Sequence, residues 1–270
     1  MPELPEIANL AHQMQAELVG KTIAGIEVLQ PKCLNVPEAD FVAALAGAKV
    51  CAVTYRGKWL RVETMQGWLF LSLGMGGEIL LVTRETLPEK HRLLFDFDDG
   101  TTLSINFWWF GYAHYAPLDD VASHKMTAKL GPNALEVTAD DLRALFKGRR
   151  GRVKSFLLDQ SKIAGIGNFY IHDILFAARL HPLRTINTLT DTEIDALACA
   201  IHTNLRGALD RGGASYEVDL HGQNGTYTME DVVIGYKEGK PCPVCSTEIE
   251  KIKTGSTSSF ICPQCQPLER

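Results

Sequence analysis

The chain has 270 residues, of which 46% are hydrophobic and 22% are charged. This length allows one large domain or two ordinary ones, and the composition is typical of a globular protein with a buried core. No apolar run approaches the ~18 residues of a membrane span, and the start lacks the regions of a signal peptide. We therefore expect no membrane association.

The net charge of −5 argues mildly against a nucleic-acid partner, so the distribution of charge decides. Lys147, Arg149, Arg150, Arg152 and Lys154 lie close together without an acidic residue between them. Such a run is either a solvated face or a stripe that binds phosphates. Because a local stripe can supply phosphate contacts, the overall charge does not exclude DNA.

The first six residues are Met1-Pro2-Glu3-Leu4-Pro5-Glu6. Removal of Met1 would leave Pro2 with a free secondary amine beside a carboxylic acid, which suits Schiff-base chemistry. The alternative is that these residues only start a helix, with proline in its first turn and acidic residues near its positive end. Residues 3–19 are predicted to form an amphipathic helix that Gly20 ends.

Residues 21–117 are predicted to be β structure, because short apolar runs alternate there with glycine. Residues 93–98 and 101–107 read as two strands joined by the tight turn Asp99-Gly100. Two more strands, 50–55 and 59–64, flank Arg56-Gly57-Lys58, and another covers 68–73. A leading helix followed by many strands predicts a two-layer β-sandwich or flattened barrel.

Two glycine-rich segments allow a structural and a functional interpretation. In Leu73-Gly74-Met75-Gly76-Gly77, Met75 is either a core residue beside a bulge or a wedge for a base stack. In Ala164-Gly165-Ile166-Gly167-Asn168, Asn168 either caps the next helix or also helps to form an anion site.

The second half of the chain is predicted to be helical beyond a boundary near Gly131-Pro132-Asn133. Helices are expected over 153–158, from Asn168 through Arg179, and from the capping box Thr190–Glu193 up to Gly212-Gly213. We find no internal repeat.

Four of the seven cysteines form a C-x2-C-x16-C-x2-C pattern: Cys242, Cys245, Cys262 and Cys265. This spacing fits two turns that offer four thiolates to one tetrahedral zinc ion. A pair of disulfides is the alternative, but no feature indicates export. The other three cysteines, Cys33, Cys51 and Cys199, are expected to be small buried residues.

Taken together, these features resemble the formamidopyrimidine-DNA glycosylase / endonuclease VIII family of DNA repair glycosylases. The resemblance runs nearly from end to end. It covers the terminal Pro-Glu-Leu-Pro-Glu, the hairpin at 56–58, the 73–75 loop, Lys90-His91, residues 158–160 and 163–168, the Gly212-Gly213 pair and the ribbon that ends in Cys265-Gln266.

The resemblance implies an α+β multidomain fold: an N-terminal β-sandwich with a leading helix, then a C-terminal helix–two-turn–helix domain with a β-hairpin zinc ribbon. We expect a catalytic domain at 1–131, a DNA-binding domain at 132–235 and the ribbon at 236–270. The implied cofactor is one structural zinc ion. The implied partner is damaged duplex or single-stranded DNA, bound by a monomer in the cytoplasm, or at the nucleoid if the source is bacterial.

The resemblance also assigns roles to residues. Pro2 matches the nucleophile, Glu3 the general acid/base, Glu6 a supporting carboxylate, and Lys58 a lysine that approaches the lesion and its phosphate. Asn168 matches a phosphate-binding residue, and Met75 the residue that fills the gap left by an everted base. The full set of expected DNA contacts is Met75, Lys90, His91, Trp108, Phe110, Arg152, Lys154, Asn168 and Lys253.

Several recognition groups depart from the family pattern. Trp108 of Trp108-Trp109-Phe110-Gly111 stands where relatives that act on 8-oxoguanine carry the first arginine of Arg-Arg-Phe-Gly. An indole can stack, but it lacks the paired donors that arginine offers to a base. Leu93 replaces a histidine, Thr257 replaces the ribbon arginine, and Ser215-Tyr216-Glu217-Val218 replaces a Ser-x-Arg-Asp segment. These departures leave the preferred lesion and the preferred opposite base open.

The sequence therefore predicts a bifunctional DNA glycosylase and abasic-site lyase of base-excision repair, which excises a damaged base and cleaves the strand through a Schiff base on Pro2. Two alternatives are a non-catalytic lesion-binding protein of the same fold and a zinc-ribbon DNA-interaction module fused to an unrelated β domain. Neither alternative requires a terminal amine.

Overall fold

The computed structural model describes residues 1–108 and 110–268, so Trp109 lies outside the described residues. The described chain divides into two compact units. The first contains Met1–Lys129 and Arg211–Thr226, and the second contains Leu130–Asp210 and the chain from Tyr227 onward. Residues 211–226 thus return to the first unit after the last long helix.

The first unit is built on two antiparallel four-stranded sheets, as the two-layer prediction required. One sheet has the order β2-β3-β4-β8 and the other the order β1-β6-β7-β5. The strands are β1 Ile23–Val28, β2 Val50–Arg56, β3 Trp59–Thr64, β4 Gly67–Ser72, β5 Glu78–Thr83, β6 Leu93–Phe97, β7 Thr101–Asn106 and β8 Tyr112–Ala116.

Both sheets contribute to one hydrophobic core, which the leading helix α1 (Leu4–Leu18) also joins. Leu60 and Leu71 come from one sheet, Phe95 and Ile105 from the other, and all four are at most 1% exposed. Burial of such side chains contributes roughly 25 cal/mol per Å² of apolar area removed from water. Helix α1 adds the apolar stripe predicted from its sequence, with Ile7, Leu10, Met14 and Leu18 all buried.

A second helix, α2 (Glu38–Leu45), interrupts the stretch that was predicted to be wholly β. Its first turn carries Glu38 and Asp40, which suit the positive end of a helix. Phe41 and Leu45 are four residues apart and fully buried, so one face of the helix packs on the core. The helical period over these eight residues was the missed signal.

The second unit contains four helices: α3 Ala139–Phe146, α4 Val153–Leu158, α5 Ile171–Ala177 and α6 Asp191–Leu209. The capping box predicted for α6 is present, because Thr190 accepts the N–H of Glu193 and Glu193 accepts the N–H of Thr190. Helix α4 has the predicted bounds. Helix α6 ends before Gly212-Gly213, and both glycines have a positive φ.

A short antiparallel hairpin, β9 Glu250–Thr254 and β10 Thr257–Ile261, forms the ribbon of the second unit. Its apolar side packs with Phe176 of α5 and with Ile234 in a small cluster that also contains two of the paired cysteines. The fold class is therefore the predicted one.

Two details of the prediction are corrected. Cys33 is buried as expected, but Cys51 and Cys199 are exposed. Cys51 lies at an outward position of β2, and Cys199 lies on the outer face of α6, so the apolar neighbours in the sequence point away from them. Among the helices that the structure describes, none is long and apolar enough to cross a membrane.

Candidate active site, DNA-contact residues and metal centre

The start of helix α1 forms a buried polar cluster. Pro2 is buried, and Glu3 and Glu6 are each 5% exposed. Glu3 is the N-cap residue of α1, and its backbone N–H donates to Oε2 of Glu6 at 2.7 Å. The structure thus brings together the three residues to which the sequence assigned the chemistry at the amino terminus.

The other oxygen of Glu6 reaches a distant part of the chain. Its Oε1 accepts the backbone N–H of Ala214 at 2.9 Å. One buried carboxylate therefore joins the amino terminus to the turn that follows Gly212-Gly213. A hydrogen bond to a charged group contributes about 1.5–3 kcal/mol, and a buried carboxylate without partners is costly.

Gly213 is required at this junction. Its φ is +93°, and a Cβ added there would lie 2.8 Å from Cγ of Glu6. Any other residue would be strained and would displace the carboxylate. Gly213 therefore has a second role besides the predicted one of ending the helix: it leaves room for the Glu6 carboxylate.

Residues 211–226 are fastened along one face of α1. Glu6, Asn9 and Gln13 are spaced three and four residues apart, so they share that face. Asn9 donates to the carbonyl of Gly212 at 3.4 Å. Gln13 donates to Asp219 at 2.8 Å and accepts the N–H of Leu220 at 2.9 Å. The polar stripe of α1 thus holds the returning segment while its apolar stripe faces the core.

The returning segment brings a third carboxylate to the amino terminus. Oε1 of Glu217 lies 3.5 Å from the terminal nitrogen of Met1, and the Glu217 side chain is only 14% exposed. Burial raises the pKa of Glu217 to about 7; the terminal ammonium opposes this rise, and Glu6 adds to it. The sequence analysis noted Glu217 only as part of a departure from the family's Ser-x-Arg-Asp segment and did not select it as a site residue, because it lies more than 200 residues from Pro2.

The remaining candidate residues of the first unit lie on loops and turns. Lys58 is half-buried beside Gly57 at the tip of the β2–β3 hairpin. Lys90 is exposed, and Nδ1 of the half-buried His91 lies 2.9 Å from the carbonyl oxygen of Pro88. The turn before β6 therefore fixes the orientation of the His91 ring.

Three large apolar side chains of this unit are exposed: Met75 at 45%, Trp108 at 74% and Phe110 at 68%. The ring of Trp108 lies against Gly76, where an added Cβ would be 2.7 Å from it. The structure therefore brings Trp108 to the loop that carries Met75. Exposed apolar groups of this kind mark interaction sites rather than a core, so the interpretation of Met75 as a core residue is wrong.

Within the second unit, the basic run divides into exposed and buried residues. Arg152 is exposed just before α4, and Lys253 is exposed on β9. Lys154 is 2% exposed, and its Nζ donates to the carbonyl of Ser258 and to the hydroxyls of Ser259 and Thr257 at 2.6–3.1 Å. The expected DNA contact of Lys154 is therefore corrected, because its ammonium is held inside the protein by the ribbon turn.

Asn168 lies in a turn before α5 rather than at the helix end. The N-cap of α5 is Tyr170, so the prediction that Asn168 caps this helix is wrong. The amide nitrogen of Asn168 lies 3.5 Å from the hydroxyl of Tyr236, a half-exposed residue with a positive φ of 60°. The sequence analysis missed Tyr236.

Asp173 of α5 explains the position of Tyr236. It is 4% exposed, and its carboxylate accepts the backbone N–H groups of Val233, Ile234 and Gly235 at 2.6–3.0 Å. Three such bonds from successive residues hold the turn that presents Tyr236. Asp173 is the one acidic residue of the largely apolar helix α5, and this was the available signal.

The four paired cysteines converge at the end of the ribbon. Their sulfur atoms all lie within 4.8 Å of one another. Distances of 3.4–3.8 Å separate three of the sulfur pairs, which suits the edges of a tetrahedron with metal–sulfur bonds of about 2.3 Å. The donor set therefore fits one structural zinc ion, held by Cys242, Cys245, Cys262 and Cys265.

Backbone and side-chain groups support this centre. The N–H groups of Val244 and Cys265 each donate to a cysteine sulfur at 3.4 Å, which stabilises thiolates. Gln266 is fully buried; its side chain accepts the N–H of Cys262 and donates to the carbonyl of Leu180. Gln266 thus ties the metal centre to the end of α5.

Comparison with known protein families agrees with this arrangement along the chain. The formamidopyrimidine-DNA glycosylase N-terminal domain matches residues 1–106 and the formamidopyrimidine-DNA glycosylase H2TH domain matches residues 130–219. The zinc finger found in FPG and IleRS matches residues 239–268. These matches define a zinc-containing DNA repair glycosylase of the helix–two-turn–helix type.

Similar whole proteins extend the agreement. The formamidopyrimidine-DNA glycosylase of Pelotomaculum thermopropionicum is 36% identical over the full length of both chains, and that of Chloroflexus aggregans is 37% identical over 99% of both. The chain belongs to the formamidopyrimidine-DNA glycosylase family. A crystal structure of a Lactococcus lactis FPG mutant with Fapy-dG-containing DNA has a TM-score of 0.89 at 28% identity, covering 98% of this chain and 100% of that one.

Replacing Cys262 with Ala should release the zinc ion and unfold the ribbon, because the metal supplies much of the folding free energy of so small an element. Metal content by elemental analysis should fall from one zinc ion per chain to none. Cys199→Ala is the matched control, since Cys199 is exposed on α6 and far from the centre in sequence. A Cys262→Ala protein that keeps its full zinc content would contradict this assignment.

Replacing Lys154 with Met should destabilise the second unit, because the ribbon turn loses the ammonium that binds its carbonyl and hydroxyl oxygens. We expect the free energy of unfolding to fall by about 1–3 kcal/mol. Thermal and urea unfolding measure this change. Lys147→Met, at an exposed site of the same basic run, should change it by less than about 0.5 kcal/mol. Unchanged stability with weaker DNA binding would restore the original assignment of Lys154.

Proposed function

We propose that this protein is a bifunctional DNA glycosylase and abasic-site lyase, which excises a damaged base and cleaves the strand through a Schiff base on Pro2. Membership of the family supports the glycosylase activity. The observation that carries the finer proposal is the carboxylate cluster around buried Pro2: Glu3 follows it, Glu6 binds the backbone of Glu3, and Glu217 lies 3.5 Å from the nitrogen of Met1.

The proposed chemistry begins with removal of Met1, which frees the secondary amine of Pro2. That nitrogen attacks the anomeric carbon of the damaged nucleotide while Glu3 assists proton transfer, and the base departs. The resulting iminium makes the neighbouring sugar proton acidic. Its removal allows elimination of the phosphate, which cleaves the strand.

The proposed DNA contacts fall into two groups. Met75, Trp108 and Phe110 are exposed and apolar, which suits contact with the opened base stack. Lys58, Lys90, His91, Arg152, Asn168 and Lys253 carry donors or positive charge, which suits phosphate contacts. We add Tyr236 to this second group because its hydroxyl adjoins the Asn168 amide.

We propose an oxidised or ring-opened base, or an abasic site, as the substrate. The similar Lactococcus lactis protein is seen with Fapy-dG-containing DNA and, in another structure, with abasic-site DNA. We keep the functional division at residues 131 and 235 as a proposal, with residues 211–226 contributing to the catalytic part. We propose that the protein acts as a monomer in the cytoplasm.

Borohydride reduction in the presence of abasic-site DNA should trap a covalent complex in which Pro2 carries the sugar. Intact mass should show that the active protein lacks Met1, and peptide mapping should locate the adduct on Pro2. A lesion-binding protein without catalysis, or a zinc-ribbon interaction module, would form no adduct. Full activity with Met1 retained, or an adduct on Lys58, would refute the proposal.

Discrimination of the base opposite the lesion should be weak, because Trp108 lacks the paired donors of an arginine. A bidentate contact to a base is worth roughly 1–3 kcal/mol, which is about five- to 160-fold in rate or affinity, and that contribution should be missing. Stacking by Trp108 or Phe110 is sequence-tolerant and should remain; Trp109, which was expected to share it, lies outside the described residues.

Excision rates measured against cytosine, thymine, adenine and guanine test this expectation, and they should agree within about tenfold. Trp108→Arg should introduce a preference, whereas Trp108→Phe should not. A preference of a hundredfold for one partner in the unaltered protein would show that another residue reads the opposite base.

A further inference from the structure

We propose that Glu217 takes the protons that the Pro2 nitrogen sheds as it becomes an iminium, so that a third carboxylate takes part in the reaction. This inference rests on the proposed function, because it concerns the same covalent step. Glu217 belongs to the first compact unit with Pro2, Glu3 and Glu6.

The geometry at the terminus carries the proposal. Oε1 of Glu217 lies 3.5 Å from the terminal nitrogen of Met1. The carbonyl carbon of Met1 is bonded to the Pro2 nitrogen. In the covalent intermediate, the anomeric carbon of the sugar is bonded to that nitrogen instead. Met1 thus stands in for the attached sugar. Three bonds join the two nitrogens, so the Pro2 nitrogen lies within roughly 7 Å of the Glu217 carboxylate, a span that one or two water molecules bridge.

Hydrogen bonds from helix α1 on both sides of Glu217 fix its position. The turn that carries it begins at Gly212-Gly213 and is fixed by the bond from Ala214 to Glu6. On the other side of Glu217, Gln13 binds Asp219 and Leu220. Glu217 is therefore held between two anchors on α1, with its side chain only 14% exposed.

The proton balance of the reaction requires such a group. A secondary ammonium carries two N–H protons, and the iminium nitrogen carries none. During the reaction the N–C bond forms, the glycosidic bond breaks with its electron pair on the base, and the ring C–O bond breaks with its pair on oxygen. The departing base and the ring oxygen each gain one proton. The two protons lost by nitrogen therefore equal the two gained: Glu217 takes them from nitrogen one at a time, and Glu3 assists their delivery to the departing base and the ring oxygen.

Glu6 is poorly suited to this task, since both of its oxygens accept backbone N–H groups that hold the structure. The charged groups around Glu217 are the terminal ammonium, Glu3 and Glu6. Burial, the largest cause, raises the pKa of Glu217 to about 7, and a general base with a pKa near the working pH is the effective kind. Ionised Glu217 is the active form, so the rate should rise with pH through the pKa of this carboxyl, which burial holds above its usual range.

The test is the pH dependence of covalent trapping on abasic-site DNA under single-turnover conditions, from about pH 5.5 to pH 9.5. At pH 7.5, Glu217→Gln should slow trapping by at least about tenfold. Its rate should recover only above about pH 8, where a terminal amine loses its proton unaided. Glu217→Asp should keep the wild-type shape of the pH–rate profile, with trapping rates between those of the wild type and Glu217→Gln. Glu38→Gln, an exposed acid on α2, should match the wild type.

Two outcomes would overturn the proposal. A Glu217→Gln protein that traps DNA as fast as the wild type at every pH would show that the carboxylate takes no proton. A reduction by one constant factor at every pH, together with weaker DNA binding, would show a purely structural role. Failure of the wild type to form any adduct would instead refute the proposed function itself, so the two failures are distinguishable.

Discussion

The carboxylate of Glu6 is the constraint on which the amino-terminal site depends. One oxygen holds the backbone of Glu3, and the other holds the backbone of Ala214. Because the group is buried, each bond is strong and the loss of either partner is costly. The same residue therefore orders the terminal segment and fixes the returning turn, which places Glu217 beside the terminus. A chain end, usually mobile, becomes a defined site.

The second unit uses the same physical device. Three backbone N–H groups converge on buried Asp173, and buried Lys154 binds the carbonyl and hydroxyl oxygens of the ribbon turn. Gln266 connects the cysteine cluster to the end of α5. In each case one buried polar side chain fixes a segment that has little apolar surface of its own. Of the residues proposed to touch DNA, Tyr236 follows the turn held by Asp173, and Lys253 lies in the hairpin held by Lys154.

The sequence predicted what local patterns determine. The strands, the capping box at Thr190 and the spacing of the four cysteines each depend on neighbouring residues, and the structure confirms them. The sequence analysis did not identify Glu217 or Tyr236 as site residues, because their positions depend on contacts with residues distant in the sequence, such as Glu6 and Asp173. Lys154 was misassigned for the same reason: a basic run indicates charge but not which side chain is buried.

The central claim, that Glu6 links the amino terminus to the returning turn, is tested most directly by comparing Gly213→Ala with Gly212→Ala in covalent trapping. Both glycines have a positive φ, so both substitutions strain the backbone alike. Only at Gly213 would the added Cβ press on Glu6, at 2.8 Å; at Gly212 the nearest atom is 3.8 Å away. We predict that Gly213→Ala slows trapping at least about tenfold more than Gly212→Ala, with zinc content unchanged. Equal rates for the two proteins would contradict the account.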